Sequence, residues 1–412
     1  MPAVNLTTES SIPMHACNMG ERPRVLVVMP SIPLHGMERA NVQIMRLMRR
    51  AGFDVLCITE SGWGHSVAKA VEDADCDQKG IRLGRTIRVP RGFFEALSLG
   101  LYWMKTSRQI HAIFRQYKPT HLYITTFSFF LLAYPLPGRA GIQTIFRLPN
   151  PPDLELHGWR RFISGILWRR FIIPRCDILV CNSSYSRDRL RKLAGTTTKI
   201  EVIYNSCPVR IDLDTSDAPR LSSDRFNVVY VGRIQKSKGV DLLYEAAKIL
   251  VDKYSFVDFY LAGQHSWQNP FAESLIAEND SSERRCRISF LDQIEDVPGL
   301  LRQAKVHVCP STSPSESFPN VVLEAKNAGI PSVVFDTAGL IEAVRDGSEG
   351  FICERKTVEC LVRTIERYIE EPDLVTIHGK AARDSLDRYQ EMHIQDAWEN
   401  LIRSGICGKS YA

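Results

Sequence analysis

Short apolar runs alternate with longer stretches in which apolar positions recur at helical spacing, and this pattern continues along most of the chain. Strands that alternate with amphipathic helices predict parallel sheets, because a right-handed helical crossover joins each strand to the next. The sequence therefore predicts an α/β protein. The predicted strands are 24–29, 54–59, 121–125, 142–146, 177–181, 200–204, 226–231, 257–262, 287–291, 306–310, 331–336 and 350–353.

The length of 412 residues suits two domains of ordinary size, each with its own core. A stretch rich in Pro, Asp and Ser, without periodicity, separates two groups of strands and is typical of an interdomain linker. We therefore expect a disordered leader, a first α/β domain, a linker, a second α/β domain and a closing helix. These segments are 1–22, 23–207, 208–225, 226–388 and 389–412.

The composition, 44% hydrophobic and 24% charged, is that of a soluble globular protein, and no apolar run is long enough to cross a bilayer. The N-terminus lacks a basic segment followed by an apolar one, so we expect no signal peptide and a cytoplasmic location. The eleven cysteines include no Cys-x-x-Cys pair, and several lie in apolar runs, as buried free thiols do. A disulfide framework is therefore not expected.

Positive charge is concentrated in the first half of the chain. Residues 1–205 hold 28 Lys and Arg against 15 Asp and Glu, whereas the remainder holds 24 against 32. No nucleic-acid-binding motif accompanies this charge, so an anionic membrane surface is a better candidate partner than nucleic acid. Two basic, aromatic-rich segments, 93–118 and 159–175, suit the headgroup layer of a membrane. The alternative is that both are helices whose apolar faces pack on the sheet.

Two carboxylates follow a predicted strand in the segment STSPSESFPNVVLEAKNAGIPS. Glu316 lies in the loop and Glu324 in the helix that follows, and such a loop reaches the carboxyl edge of a parallel sheet, where α/β proteins bind ligands. Unpaired backbone N–H groups at Ser317, Phe318 and Asn320 would suit a phosphate. We therefore infer a polyhydroxylated, phosphorylated ligand. The alternative is an ordinary helix start that binds nothing.

A basic turn lies in a second segment, FNVVYVGRIQKSKGVDLLYEAAKIL, whose pattern predicts a strand, a turn and an amphipathic helix. The turn carries Arg233, Lys236 and Lys238, while Gly232 and Gly239 allow close approach of the backbone. A lone basic turn is usually only solvated. Two cations beside a helix start, in a unit expected in the same sheet as the carboxylates, favour a diphosphate site.

Three ordered motifs, VGRIQKSKGVDLL, YLAGQH and ESFPNVVLEAKNAGIPSV, together resemble the group 1 glycosyltransferases, a retaining family with the two-Rossmann-domain GT-B fold. The resemblance is strong over 226–353 and weak in the first half of the chain. It implies two Rossmann-like domains facing across a cleft, the first for the acceptor and the second for a nucleotide-sugar donor. It also implies that the last helix crosses back to the first domain, with Trp398 and Leu401 as its anchors.

The resemblance further implies a set of donor contacts. Arg233 and Lys238 would bind the diphosphate, Glu316 would hold sugar hydroxyls with help from neighbouring backbone, and Glu324 would hold the ribose. In the family the first loop usually has two adjacent glycines and then a Glu; here only one of those glycines is kept, so donor contact at Gly36 is left open. The implied donor-binding residues are Gly36, Arg233, Lys238, Glu316, Ser317, Phe318 and Glu324.

Many relatives in this family carry a histidine shortly after the strand predicted at 142–146, where it approaches the donor sugar. This sequence instead has Arg147-Leu148-Pro149-Asn150. His157 is a candidate substitute, although a solvent-exposed loop histidine is the commoner explanation. No catalytic histidine is therefore assigned.

No metal or other cofactor is expected. Asp212 and Asp214 lie in the linker, where solvated turn acids are typical, and the series Asp73, Asp75 and Asp77 lacks the glycine and glutamate of a calcium loop. Cationic side chains and helix N-termini would instead stabilise the charge of a leaving nucleoside diphosphate.

The sequence thus predicts a retaining glycosyltransferase that moves a sugar from a nucleoside diphosphate sugar to an acceptor hydroxyl, with Arg233, Lys238 and Glu316 as the catalytic candidates. The acceptor would be lipid-linked or a saccharide, in polysaccharide, glycolipid or lipopolysaccharide assembly. The same fold also allows a sugar-nucleotide epimerase, a phosphorylase or a catalytically inactive nucleotide-sugar-binding subunit. A dinucleotide-dependent oxidoreductase is disfavoured, since the first loop has no Gly-x-Gly-x-x-Gly fingerprint.

Overall fold

A computed structural model describes residues 22–29, 34, 36–61, 66–81, 105–106, 108–125, 141–149, 158–194, 198–207, 218–264 and 269–407. Several sequence predictions lie outside the described residues: most of the leader, the linker up to residue 217 and the first part of the basic segment 93–118. His157, Asp212 and Asp214 lie outside them as well.

The first domain contains seven parallel strands: β1 (Arg24–Met29), β2 (Asp54–Glu60), β3 (Asp77–Ile81), β4 (His121–Ile124), β5 (Gln143–Arg147), β6 (Ile178–Cys181) and β7 (Lys199–Val202). They form one sheet in the order β3-β2-β1-β4-β5-β6-β7. Its helices are α1 (Gly36–Arg50), α2 (Ser66–Glu72), α3 (108–117), α4 (Gly158–Leu167) and α5 (Ser184–Ala194). A π-helical turn (Trp168–Ile172) and a 3₁₀ turn (Ile173–Arg175) follow α4 directly.

The second domain contains six parallel strands: β8 (Phe226–Val231), β9 (Val257–Ala262), β10 (Ile288–Leu291), β11 (Val306–Cys309), β12 (Ser332–Phe335) and β13 (Gly350–Cys353). Their order in the sheet is β10-β9-β8-β11-β12-β13. Its helices are α6 (Val240–Lys253), α7 (Pro270–Asp280), α8 (Val297–Leu301), α9 (Asn320–Ala328), α10 (Leu340–Ala343), α11 (Val358–Glu370) and α12 (Asp373–Asp384). A final helix, α13 (Glu391–Cys407), closes the described chain.

Continuous apolar strands form because helices cover both faces of each sheet. In β1, Val25 and Val27 pack into one core while Leu26 and Val28 pack into the other, so all four side chains are buried. The same two-sided burial explains why these runs lack the alternation of a half-exposed strand. The predicted pair of Rossmann-like domains is confirmed.

One strand was missed by the sequence analysis. Strand β3, with the sequence DQKGI, is the edge strand beside β2 and exposes most of its side chains. This acidic segment contains no apolar run, and the series Asp73, Asp75 and Asp77 also lacks the pattern of a calcium loop. In the structure Asp75 occupies a left-handed turn (φ 58°), and Arg49 approaches its carboxylate at 3.6 Å.

The last helix returns to the first domain, as expected. In α13, Trp398 is buried against Tyr123 with ring centroids 5.6 Å apart, and Leu401 lies in the same core as the strands of the first sheet. Arg50 of α1 and Glu391 of α13 are joined by an ion pair at 2.6 Å. The anchors predicted from the resemblance are therefore the ones that the structure uses.

Particular residues set the ends of two helices. Helix α12 begins at Asp373 directly after Pro372, whose missing N–H is tolerated at a helix start, and a 3₁₀ turn (Ser385–Tyr389) follows the helix. The cap of α5 is Ser183, whose Oγ accepts the N–H of Ser186 at 3.1 Å, while the Ser186 hydroxyl donates to the carbonyl of Pro149.

The described part of the chain contains no helix long and apolar enough to span a membrane. The nine cysteines whose side chains are described are all free thiols, eight of them buried.

Candidate functional site

Two neighbouring strands, β8 and β11, bring the basic turn and the carboxylate loop to one edge of the second sheet. Both strands are parallel and paired, with Val306 opposite Val228. The turn 232–239 follows β8 and the loop 310–319 follows β11, so both segments lie at the carboxyl edge. The structure thus places the segments that carry Arg233 and Lys238, and those that carry Glu316 and Glu324, at the same edge of the sheet.

Backbone hydrogen bonds hold the turn and the loop together. The carbonyl of Ser237 accepts the N–H groups of Thr312 and Ser313 at 3.1 and 3.2 Å. The hydroxyls of Ser311 and Thr312 approach the same oxygen at 3.3 Å. This one carbonyl therefore fixes the position of the carboxylate loop relative to the basic turn.

Gly239 ends the basic turn and precedes α6. Its φ of 68° lies in the left-handed region, and a Cβ at this position would lie 2.0 Å from the carbonyl oxygen of Pro310. A side chain would therefore push the turn and the carboxylate loop apart. This explains the need for a glycine directly after Lys238.

Lys238 and Glu316 form an ion pair at the centre of the candidate site. Their side chains are only 24% and 12% exposed, so water screens the pair less than it would at the surface. Tyr230 lies beneath the site and donates to the carbonyl of Arg233 at 2.8 Å. Burial raises the pKa of Tyr230 well above its ordinary value. The Glu316 carboxylate raises this pKa further, whereas the Arg233 guanidinium lowers it, so both charges lie near the ring.

Glu324 and Gly36 lie where the two domains meet. The Nδ2 of Asn320, the first residue of α9, donates to the carbonyl of Gly36 in α1 at 3.2 Å. Glu324 is four residues after Asn320 and therefore on the same face of α9. Together with burial, its carboxylate raises the pKa of the Cys207 thiol to about 12. The described side chains of the second domain thus reach the first domain at Gly36.

The expected free N–H group of Ser317, one of the three predicted here, needs correction. Helix α9 begins only at Asn320, and the N–H of Ser317 donates to the carbonyl of Ser315 at 2.9 Å. The physical reason is Pro319. Its backbone is extended, with φ −80° and ψ 121°, so the helix starts after it and does not reach back to Glu316. The ring of Phe318 is buried against Tyr204 and Tyr389, at 5.3 and 5.4 Å between centroids.

A buried ion pair joins α9 to the segment before β13. The Nζ of Lys326 lies 2.6 Å from the Glu349 carboxylate, and both side chains are at most 3% exposed. Ser385 and the N–H of Arg345 complete the contacts of the two charges, at 2.8 and 3.0 Å. Burial lowers the pKa of Lys326, while the ammonium of Lys326 lowers the pKa of Glu349 against the opposing effect of burial.

Sequence reasoning missed a polar network that joins the domains through Arg147. This guanidinium is 2% exposed and donates to the amide oxygens of Asn41 at 2.9 Å and Asn205 at 2.6 Å. Asn205 in turn donates to Asn320 at 2.6 Å. The signal available was an arginine at the end of a buried apolar strand, which is unusual for a charged residue. The family resemblance marks this position only as one that lacks the common histidine.

Glu342 was missed as well. Its carboxylate, in α10 of the second domain, accepts the N–H groups of Ser184 at 2.9 Å and Tyr185 at 2.5 Å at the start of α5 in the first domain. The Tyr204 hydroxyl approaches it at 3.4 Å. No local sequence pattern marks this contact, because Ser184 and Tyr185 lie more than 150 residues away from Glu342 along the chain.

Gly339 connects Glu342 to the candidate site. Its N–H donates to the carbonyl of Glu316 at 2.9 Å, and a Cβ on it would lie 1.5 Å from the carbonyl oxygen of Ser317. The carboxylate that touches the first domain is therefore three residues away from a backbone contact with the carboxylate loop. The arrangement sets a cation and a carboxylate side by side, which suits a group that carries both phosphate and hydroxyls.

Two family models match the chain. The model described as Glycosyl transferases group 1 matches residues 214–385, and the model described as Glycosyltransferase Family 4 matches residues 34–209. The two matches fall on the second and the first domain respectively.

Individual relatives match parts of the chain. The capsular polysaccharide biosynthesis glycosyltransferase CapM of Staphylococcus aureus is 28% identical over 59% of this chain and 65% of its own length. The N,N'-diacetylbacillosaminyl-diphospho-undecaprenol alpha-1,3-N-acetylgalactosaminyltransferase of Campylobacter jejuni is 33% identical over 42% of this chain and 43% of its own length. The matched region thus spans less than two thirds of either relative.

Solved structures resemble the whole described architecture. Anabaena Alr3699/HepE in complex with UDP and glucose has a TM-score of 0.72 at 19% identity, covering 92% of this chain and 99% of that chain. Sucrose-phosphate synthase from Thermosynechococcus elongatus has a TM-score of 0.72 at 18% identity, covering 94% and 100%. These likenesses show a shared GT-B fold. With family models matching both of its domains, the chain belongs to the group 1 glycosyltransferases.

Proposed function

We propose that this protein is a retaining glycosyltransferase that transfers a sugar from a nucleoside diphosphate sugar to an acceptor hydroxyl. The observation that carries the proposal is the pairing of Lys238 with Glu316 at the carboxyl edge of the second sheet, beside the interdomain contact between Asn320 and Gly36. A cation and a carboxylate side by side suit a donor that bears both a diphosphate and sugar hydroxyls.

Each charged side chain has a distinct role in the proposal. Lys238 and Arg233 bind the donor diphosphate, and Glu316 accepts hydrogen bonds from sugar hydroxyls once Lys238 turns towards the phosphates. Glu324, on the helix face that reaches the cleft, accepts hydrogen bonds from the ribose. Gly36 offers a close approach of the first domain to the donor.

The chemical step breaks the bond between the anomeric carbon and the phosphate oxygen, and the nucleoside diphosphate leaves with the electron pair. The acceptor oxygen forms a new bond on the same face, and its proton passes to an oxygen of the leaving phosphate. Lys238 and Arg233 stabilise the charge that develops on the phosphate, which is the kind of electrostatic contribution that usually dominates such sites. Closure of the cleft excludes water, which would otherwise compete with the acceptor.

The acceptor we propose is a lipid-linked sugar or a saccharide, in polysaccharide or glycolipid assembly at the cytoplasmic face of a membrane. The names of CapM and of the undecaprenol-dependent transferase support this context. UDP-sugars are the first donors to test, because the HepE structure contains UDP and glucose.

A donor panel with and without acceptor tests the proposal. UDP-, GDP- and ADP-sugars are offered to the full chain, first in a thermal-shift assay and then with lipid-linked and saccharide acceptors while nucleoside diphosphate release is measured. We expect one donor class to raise the melting temperature and to release nucleoside diphosphate only when acceptor is present. NMR of the product should show the anomeric configuration of the donor.

Other outcomes favour the alternatives. Conversion of the donor sugar without any acceptor would indicate an epimerase, and release driven by inorganic phosphate a phosphorylase. Donor binding with no turnover on any acceptor would indicate an inactive binding subunit. An inverted product would overturn the retaining mechanism while leaving the transfer itself intact.

A further inference from the structure

The segment from α4 through the two turns that follow it, residues 158–175, turns large apolar side chains towards solvent. Phe162 is 71% exposed, Ile166 45%, Leu167 49% and Phe171 54%. Four of the nine exposed large hydrophobic side chains among the described residues thus lie within ten positions of each other. Such concentration in a single helical segment marks an interaction surface rather than scattered surface residues.

This segment is not loosely attached, because other side chains on it pack into the first domain. The ring of Trp168 is buried and stacks on Phe146 at 5.6 Å between centroids, and Ile173 is 2% exposed. Among the described side chains of this segment, the interpretation that its apolar face packs on the sheet therefore accounts for Trp168, Ile172 and Ile173. Phe162, Ile166, Leu167 and Phe171 are instead exposed, and these four side chains are called the uncovered face below.

Positive charge surrounds the uncovered face. Residues 158–175 contain five arginines and no acidic residue. The side chains of Arg169, Arg170 and Arg175 are exposed, and Arg169 also donates to the carbonyl of Leu193 in the neighbouring α5 at 3.1 Å. The last turn of α5 adds the exposed Arg191 and Lys192 to the same region.

We propose that this face docks the protein onto an anionic lipid surface. Aromatic and aliphatic side chains enter the boundary between headgroups and acyl chains, while the arginines bind the phosphates of the lipid headgroups. Charge complementarity favours this occupant over a second copy of the chain, because the same face of another copy would bring arginines against arginines.

The proposal rests on the proposed function and deepens it by naming the lipid surface from which the acceptor would be presented. Helix α4 follows β5, which ends at Arg147 on the carboxyl edge, and the helix runs back antiparallel to the strand. Its start, with Phe162, is therefore the end of the docking face nearer to the cleft. A docked protein would open its cleft near the headgroups, where a lipid-linked acceptor presents its sugar.

Vesicle co-sedimentation of the full chain tests the docking face. Phosphatidylcholine vesicles are compared with vesicles that also contain phosphatidylglycerol, at low and high sodium chloride. The double variant Phe162→Ser/Phe171→Ser is matched by Phe256→Ser/Ile377→Ser, which removes two apolar side chains exposed on the second domain. We expect binding to anionic vesicles only, weakened by salt, and a loss of about tenfold or more in the first variant alone.

Arginine variants separate charge from apolar insertion. Arg170→Gln/Arg175→Gln should weaken binding to anionic vesicles about tenfold, whereas Arg355→Gln/Arg363→Gln, on exposed positions of the second domain, should leave it unchanged. Equal binding of wild type and the Phe162 and Phe171 variant would overturn the proposal. A dimer in light scattering that the same variant dissociates would overturn it in favour of self-association.

A soluble readout keeps this proposal distinct from the proposed function. Donor-induced thermal shift without vesicles should be the same in all four variants and in the wild type, which also shows that each variant is folded. Donor binding without vesicle binding would overturn the docking face alone. Vesicle binding without any transfer would leave docking intact and overturn the proposed function.

Discussion

The N–H of Ser184 in the first domain donates to the Glu342 carboxylate of the second domain at 2.9 Å. The N–H of Tyr185 donates to the same carboxylate. The negative charge of Glu342 therefore lies at the N-terminus of α5, where the helix dipole stabilises anions. Gly339, three residues before Glu342, donates its N–H to the carbonyl of Glu316. The contact between the domains is therefore coupled to the position of the carboxylate loop.

Substitution of Glu342 should therefore loosen the closed cleft. In Glu342→Ala we expect transfer to fall about tenfold or more, since two hydrogen bonds to a charged group are lost. The rate of donor hydrolysis by water should rise relative to transfer, because an open cleft admits water. The measurement is the ratio of nucleoside diphosphate released with and without acceptor, together with the radius of gyration in solution scattering.

The control for this variant is Glu278→Ala, which removes an exposed carboxylate that pairs with Lys248 at 2.8 Å. Glu278 lies in α7, which connects β9 to the edge strand β10, away from the interdomain contacts. It should change neither the ratio nor the radius. An unchanged ratio in Glu342→Ala would show that the contact does not control closure.

Lys238 and Lys236 lie two positions apart and should differ sharply in importance. Lys238 pairs with Glu316, whereas Lys236 is exposed. We expect Lys238→Met to lower kcat/KM about 10²- to 10³-fold, because the positive charge that stabilises the leaving diphosphate is removed. Lys236→Met should stay close to wild type. Steady-state kinetics and donor-induced thermal shift check both; similar losses in the two variants would refute the specific role of Lys238.

The buried pair of Lys326 and Glu349 should be sensitive to removal of one partner. Glu349→Gln leaves the Lys326 ammonium without a negative partner in the interior, so the free energy of unfolding should drop by about 3–5 kcal/mol. The double variant Lys326→Met/Glu349→Gln should recover much of this loss, since no buried charge remains. Urea unfolding gives the values.

The exposed pair of Arg284 and Asp252, with half-exposed side chains at 2.7 Å, provides the comparison. Asp252→Asn should change the free energy of unfolding far less than Glu349→Gln does, because water screens the exposed pair. A Glu349→Gln effect of the same small size would mean that the buried pair does not secure α9.

His307 should make the stability of the second domain depend on pH. This imidazole is fully buried in β11, and burial lowers its pKa to about 3 from an ordinary value of 6.5. The unfolded chain therefore takes up a proton below about pH 6.5 that the folded chain does not, so stability falls with pH between about 6.5 and 3. The slope is about 1.4 kcal/mol per pH unit from this group.

The test compares unfolding free energies at neutral and mildly acidic pH. In His307→Asn the difference between the two should shrink by about 2 kcal/mol at pH 5 relative to wild type, whatever the substitution does to stability at neutral pH. An unaltered difference in His307→Asn would show that the histidine is already charged in the fold.

Much of the fold was predictable because its signals are local. Buried parallel strands need continuous apolar runs, and twelve of these were located within a few residues; the missed strand β3 is a polar edge strand that needs no such run. The neighbouring positions of Lys238 and Glu316 were also expected, because loops that follow strands of one parallel sheet meet at its carboxyl edge.

The sequence by itself determined two α/β domains, the basic turn and the carboxylate loop, whereas the return of the last helix through Trp398 was implied by the family resemblance. Only the tertiary structure decided that Arg147 is held by Asn41 and Asn205, that Glu342 binds the start of α5, and that the apolar side chains of 158–175 divide between the core and solvent. The physical reason is that the former depend on periodicity and on residues near one another in the chain. The latter depend on how two domains and a helix pack, and no local pattern of residues encodes that.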